Sequence, residues 1–368
     1  MPFSIIVIFN WPQGLHKMTT RRTFLLQALS SGALLLRPSD GWSLTRETYN
    51  TFDFHSHPGL FIAKGSTRYG GDEGVAKTVN EMNEGHLAGA FFSLVADAPI
   101  IKTGPDGISP NGSYAVGEAW KEYKRQLSIL KDFIGKLPVT FAVTAADLEK
   151  GLRQKRVAAY IGIEGGDFLE GRSDRLDEMH ADGVRSVQLV HYHPNELGNL
   201  QTEAPQYDGL SVAGKEIVRK MNKLKMLIDV AHAAESTVKA VTDITDSPII
   251  LSHSILQVDS KRPLAKRAIS TSHAKLIAAT RGVIGAWPSG YNTSLDDFID
   301  NTKRLIDVVG IDHVGLGTDM DGNFKPVISS YREIPAWTDA LSKKGFTKDE
   351  VVKITSGNAA RVLKATIG

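Results

Sequence analysis

The chain of 368 residues contains no cysteine. That absence excludes a disulfide scaffold, an iron–sulfur cluster, a thiolate zinc site and a cysteine nucleophile together, so any metal must sit on His, Asp or Glu. A surplus of one charge is also lacking: 43 Lys+Arg stand against 41 Asp+Glu, a formal net charge of +2. Such a balance offers no basic field to a phosphate backbone, and no nucleic acid is expected as a partner. There is no low-complexity tract, no repeat of fixed period and no central linker rich in Pro, Gly or Ser. With 42% hydrophobic residues the chain can bury one large core or two ordinary ones.

Long hydrophobic runs are scarce. The uncharged stretch from Phe24 to Leu36 spans 13 residues, too few to cross a bilayer unaided, which takes about 20. It follows Arg21-Arg22 directly, and that order matches a twin-arginine export signal, the address of proteins exported already folded. Residues 1–48 are therefore expected to be leader and linker, with Met18 as the natural start, and residues 49–368 a single domain. The expected location is the periplasm or beyond, and the cytoplasm if the leader does not function. No clear Ala-x-Ala site follows Leu36, so an uncleaved leader would associate the protein with a membrane.

From Tyr49 onward, short runs rich in Val, Ile, Leu and Phe alternate with helical patterns. Strands are predicted at Thr51 to His57, Ala88 to Ala96, Val139 to Thr144, Val157 to Glu164, Ser186 to His191, Met226 to His232, Pro248 to His253, Gly282 to Trp287 and His313 to Asp319. Helical patterns include Ala115 to Ile134, Val212 to Leu224, Ser236 to Val241, Leu295 to Val309 and Thr347 to Leu363. Strands apolar on both faces and joined by helices imply a parallel sheet covered on both sides. About eight such units favour a closed (β/α)8 TIM-type barrel. A doubly wound open sheet is the alternative, but no glycine-rich phosphate loop follows any strand.

The polar residues of interest close those strands, and in a (β/α)8 barrel the carboxyl ends of the strands carry the site. In His55-Ser56-His57 the two imidazoles are two residues apart and so point the same way, able to converge on one metal. Glu164 ends an apolar strand before Gly165-Gly166, where a carboxylate is costly unless it is paired or bound to metal. His232 and His253 each end a strand, and either alone reads as readily as a core histidine. Asp319 follows the last strand, placed to ligate metal or act as a general base, whereas Asp321 beside Gly322 reads equally as a turn residue. Histidines and carboxylates gathered at one end suit two cations bridged by a carboxylate, with zinc first and Mn²⁺, Co²⁺ or Fe²⁺ as alternatives. Hydrolysis is the expected chemistry, because a hydroxide held between such ions is a nucleophile at neutral pH.

In order along the chain, His55-Ser56-His57, Glu164-Gly165-Gly166, Gln188-Leu189-Val190-His191, His232, His253 and Gly317-Thr318-Asp319-Met320-Asp321-Gly322 resemble the membrane (renal-type) dipeptidases, zinc peptidases of the wider amidohydrolase group. The likeness runs from Thr51 to Gly368 and includes Ser356-Gly357-Asn358-Ala359-Ala360-Arg361-Val362, similar to the family's closing helix. It implies two zinc ions, one on His55, His57 and Glu164 and the other on Glu164, His232 and His253. It implies Asp319 as the base and His191 as the hydrogen-bond donor to the scissile carbonyl oxygen, with His193 and Asn195 close enough to line the pocket. It implies Arg267 as the holder of the substrate carboxylate, with Arg262 a weaker match; Arg267 reads equally as a solvated surface residue. A small dipeptide substrate and a homodimer are expected on the same ground. One departure is plain: His57 stands where most of the family has Asp, which makes the site one unit more positive. The segment from Ala96 to Tyr114, read as a long loop, and Trp287-Pro288-Ser289-Gly290-Tyr291 are candidates for shaping specificity. Two other readings remain: a binuclear amidohydrolase acting on a non-peptide amide, lactone or ester, and a non-catalytic metal or solute binder.

Overall fold

The computed structural model describes residues 48–67, 69–104 and 107–368. The expected leader, Arg21-Arg22 and the start at Met18 lie outside the described residues. Eleven strands are present among those residues: β1 (Thr51–Ser56), β2 (Leu87–Val95), β3 (Ile101–Gly104), β4 (Gly107–Pro110), β5 (Val139–Ala142), β6 (Val157–Glu164), β7 (Val184–Gln188), β8 (Leu227–Asp229), β9 (Ile250–Ser254), β10 (Val283–Ala286) and β11 (Val314–Leu316).

Eight of them close a parallel ring in the order β1, β2, β6, β7, β8, β9, β10, β11 and back to β1. The ring is the expected (β/α)8 barrel. β5 is a ninth strand outside the closed circuit. β2 pairs along 158–164 of β6, while β5 pairs with 157–160 and β7 with 161–163. Because β2 occupies one edge of β6 throughout, β5 and β7 must share the other, each covering half of it. The segment 96–114, expected as loop, instead folds back on itself as the antiparallel hairpin β3–β4, with Ile101 opposite Pro110 and Gly104 opposite Gly107.

Alternation along β6 shows what the strands do. Ala158 and Tyr160 belong to the interior cluster with Phe52, Phe54, Phe91, Leu227, Ile250 and Val283, whereas Val157, Ala159, Ile161 and Ile163 face the helical layer. Successive strand residues point to opposite faces, so Gly162 and Glu164 continue the interior row. The interior is thus packed with side chains at one end and reaches a carboxylate at the other. The apolar end is closed by the helix Asn358–Ile367, whose Val362, Leu363 and Ile367 join the interior cluster. Its Asn358 Nδ2 donates to the carbonyls of Ile311 and Val314 at the start of β11. The helix expected over Thr347 to Leu363 is broken: Lys348–Val352 begins on a Thr347/Glu350 capping box, and a π turn at Lys353–Gly357 precedes the closing helix. No helix among the described residues is long and apolar enough to cross a membrane.

Candidate active site

Glu164 is buried at the centre of five imidazoles. Its Oε1 lies 3.3 Å from His55 Nε2, 3.3 Å from His191 Nε2, 3.4 Å from His232 Nε2 and 3.7 Å from His253 Nε2, and its Oε2 lies 3.3 Å from His57 Nε2. His55 Nε2 and His57 Nε2 approach to 3.1 Å, and His232 Nε2 and His253 Nε2 to 3.0 Å. Asp319 Oδ1 is 3.3 Å from His57 Nε2. These separations match the edges of a tetrahedron of donors about 2.0–2.1 Å from one cation, which are about 3.3 Å long. The donor set therefore fits a metal, and it forms three overlapping groups: His55, His57 and Asp319; His55, Glu164 and His253; Glu164, His191 and His232.

Local folding brings each donor in. A register shift between Asp53 and Ser56 breaks the alternation of β1, which is how His55 reaches the site although Phe54 beside it packs in the interior. His57 lies one residue past β1; its Nδ1 donates to the Ser93 carbonyl at 3.0 Å, which turns Nε2 to Glu164. The strands predicted to run to His191 and His232 end earlier, at Gln188 and Asp229. Asp229 is the reason in the second case: it accepts from the Ala231 and Ser252 amides and turns the chain off the ladder. His232 and Asp319 both adopt left-handed backbone, φ 65° and 53°, a strained state for non-glycine residues that is concentrated at functional sites. Gly322 is required by close approach, since a Cβ there would lie 2.7 Å from both Asp319 Oδ1 and His57 Cδ2.

Charge follows from this packing. Burial opposes ionisation of Glu164, but the His191 and His55 imidazoles outweigh it and hold the carboxyl well below its usual range. Burial would lower His57, yet the Asp319 and Glu164 carboxylates push it up to about 10. His232 and His253 are held well below the ordinary imidazole value, first by burial and then by neighbouring positive groups.

The remaining sequence candidates separate. Arg267 is not a solvated surface residue: it is 2% exposed, its Nη1 donates to Gln201 Oε1 and its Nη2 lies 3.4 Å from His253 Nε2. Its guanidinium stacks over Trp287 at 5.7 Å, and its Nε has no hydrogen-bond partner among the described residues. Arg262 is committed elsewhere, to Asp297 at 2.6 Å. His193 Nδ1 lies 2.7 Å from Asp167 Oδ1. Asn195 spends its amide on the Leu189 carbonyl and the Leu197 amide, so it holds the loop together. Asp321 is a turn residue with structural partners, the Gly59 amide at 2.6 Å and Thr78 Oγ1 at 2.7 Å. Several buried carboxylates were not singled out in the sequence, Asp229 and three more beside the site among them. Asp97 binds His191, Asp167 binds His193, and Asp53 joins Thr318 to Tyr331.

A (β/α)8 barrel with five histidines, a central glutamate and an aspartate at one end defines a metal-dependent hydrolase. The chain belongs to the membrane dipeptidase family, peptidase family M19, whose model matches residues 48–367, and it is a metallo-dipeptidase. It is 27% identical over 297 residues to the dipeptidase aclJ of Aspergillus oryzae, covering 77% of this chain and 68% of the relative. It is 26% identical over 301 residues to an uncharacterized dipeptidase of Schizosaccharomyces pombe, covering 77% and 72%. Its fold is similar to that of a metallo peptidase of Rhodobacter sphaeroides solved with a phosphinate mimic of L-Ala-D-Ala, with TM-score 0.75, 22% identity and coverage of 87% and 100%. A probable dipeptidase of Pseudomonas aeruginosa is similar at TM-score 0.73 and 20% identity, with coverage of 88% and 96%.

Proposed function

We propose that the chain is a binuclear zinc dipeptidase that cuts the peptide bond of dipeptides with a free carboxylate, and that it acts after export. The observation that carries the reading is the Glu164 carboxylate with five imidazole nitrogens 3.3–3.7 Å from its oxygens. His55, His57 and Glu164 would hold one ion and Glu164, His232 and His253 the other. Bound there, the ions would supply a water acidified to a pKa of about 7.

The chain's own groups do the rest. Asp319 Oδ1, beside His57, is placed to take the proton of that water and return it to the departing amine. His191 presents Nε2 at the centre of the cluster, where it donates to the scissile carbonyl oxygen as that oxygen becomes negative. Arg267, buried with a free Nε–H, receives the substrate carboxylate in a two-point contact.

The test is hydrolysis of a dipeptide panel, L,D pairs included, by protein starting after Leu36, with rate recorded against added zinc. Activity saturating near two equivalents, and a fall of about 10²- to 10⁴-fold in Asp319→Asn at unchanged metal content, is the expected result. Zinc binding without dipeptide cleavage would overturn the substrate assignment. His57, which replaces an anionic ligand by a neutral one, would then direct the search to lactones, esters and non-peptide amides.

A further inference from the structure

Asp97 follows β2 and is completely buried. Its Oδ1 lies 2.6 Å from His191 Nδ1, and its Oδ2 accepts from the backbone amides of Tyr192 at 3.0 Å and His193 at 2.9 Å. The other cluster imidazoles have no such partner. The outer nitrogens of His55 and His253 meet serine hydroxyls, that of His57 meets a carbonyl, and His232 Nδ1 has no partner among the described residues.

An ionised carboxylate only accepts. His191 Nδ1 therefore carries a hydrogen, and Nε2 is the nitrogen aimed at the reacting centre, 3.3 Å from Glu164 Oε1. A carboxylate that served the loop alone would need only the two amides; here one oxygen is given wholly to the ring, at the short distance of a charge-assisted bond. The same segment is tied from the other side by Asp167, which binds His193 Nδ1 at 2.7 Å and Asn195 Nδ2 at 3.3 Å. Two loops, one after β2 and one after β6, thus grip residues 191–195.

We infer that Asp97 is a positioning residue: through Nδ1 it fixes the plane and aim of the His191 ring, so that Nε2 meets the carbonyl oxygen where charge develops. Its part in the reaction rests on the dipeptidase reading. Asp97 is enclosed and its oxygens are spent, so it acts through His191 and never touches substrate.

The discriminating variant is Asp97→Asn. Asparagine keeps an oxygen for the Tyr192 and His193 amides, so the loop persists, but it turns an NH₂ toward His191 Nδ1 and removes the acceptor that anchors the ring. We expect kcat to fall about 10- to 100-fold, the scale for losing a partner that orients a functional histidine, while KM moves by less than about threefold. Metal content should equal that of the parent protein. The downfield ring-proton resonance of His191, assigned by its loss in His191→Gln, should vanish in Asp97→Asn. The double variant should be no slower than His191→Gln, because residues acting as a unit are not additive. Additive losses, or a His191 ring proton unmoved in Asp97→Asn, would overturn the inference. Parent protein that cuts no dipeptide, while Asp97→Asn still erases the ring proton, would sink the dipeptidase reading and leave the Asp97 clamp standing.

Discussion

Arg267 brings a guanidinium into the interior with its Nε–H left without a partner among the described residues. Burial lowers its pKa, an effect opposed by Tyr192 and the Glu164 and Asp319 carboxylates. Gln201 takes Nη1, His253 lies 3.4 Å from Nη2 and Trp287 covers a face, so the unpartnered group is the buried Nε–H, on a planar edge whose shape suits a carboxylate. Lysine keeps the charge and loses that edge. Arg267→Lys is therefore expected to raise KM for dipeptides about tenfold or more, equivalent to about 1.4 kcal/mol, with kcat changed far less. Steady-state kinetics on a single substrate decides it; a drop confined to kcat would remove Arg267 from substrate binding. At this scale the sequence discloses Glu164, because a carboxylate ending an apolar run has no cheap structural explanation, and it discloses His232 and His253 only together, since either alone reads as a core histidine. Asp97 and Asp167 carry no comparable signal. Their partners lie 94 and 26 positions away, and before folding each reads as an ordinary turn residue.

Between elements, the barrel is thinly paired at two junctions, β8 with β9 through Asp229 and Ile250, and β1 with β11 through Asp53 and Leu316. A buried carboxylate secures the second. Asp53 accepts from Thr318 Oγ1 at 2.5 Å, the Thr318 amide at 2.9 Å, the His55 amide at 3.1 Å and Tyr331 OH at 2.6 Å. Burial raises its carboxyl, and those four donors counter the rise. Tyr331→Phe removes one donor and leaves the ring in place, so we expect a loss of about 1–3 kcal/mol, the range for a buried bond to a charged group. Urea unfolding measures it, and a change below about 0.5 kcal/mol, the level of an ordinary surface substitution, would show that the seam does not depend on this bond. The strand rhythm and the barrel were legible because period-2 and period-3.6 patterns survive in a single sequence. The division of the β6 edge between β5 and β7 was not, since it depends on which strand pairs where. Nor was the π turn before the closing helix, whose first residue, Asn358, donates to the Ile311 and Val314 carbonyls.

Over the whole molecule the barrel is polarised, with apolar packing against Val362, Leu363 and Ile367 at one end and the histidine cluster at the other. Such a fold resists acid poorly, because buried neutral imidazoles must take up protons to ionise. His273, on the helix Thr271–Ala279 and away from the cluster, isolates this effect. Burial lowers its pKa to about 4; Glu235 opposes the shift and Arg267 adds to it. In the unfolded chain the imidazole titrates near 6.5. Between those values the unfolded state holds a proton that the folded state does not, so this contribution to stability is complete above pH 6.5 and declines as pH falls toward 4. The slope from one such group is at most about 1.4 kcal/mol per pH unit. His273→Gln removes the titration and should lose less stability than the parent over that interval, whatever it costs at neutral pH. Denaturant midpoints at pH 7, 6, 5 and 4 (chosen to bracket the two values, about 6.5 and 4) compare the slopes. Parallel curves would mean that His273 is not held neutral in the folded barrel, and the acid sensitivity would then belong to other groups.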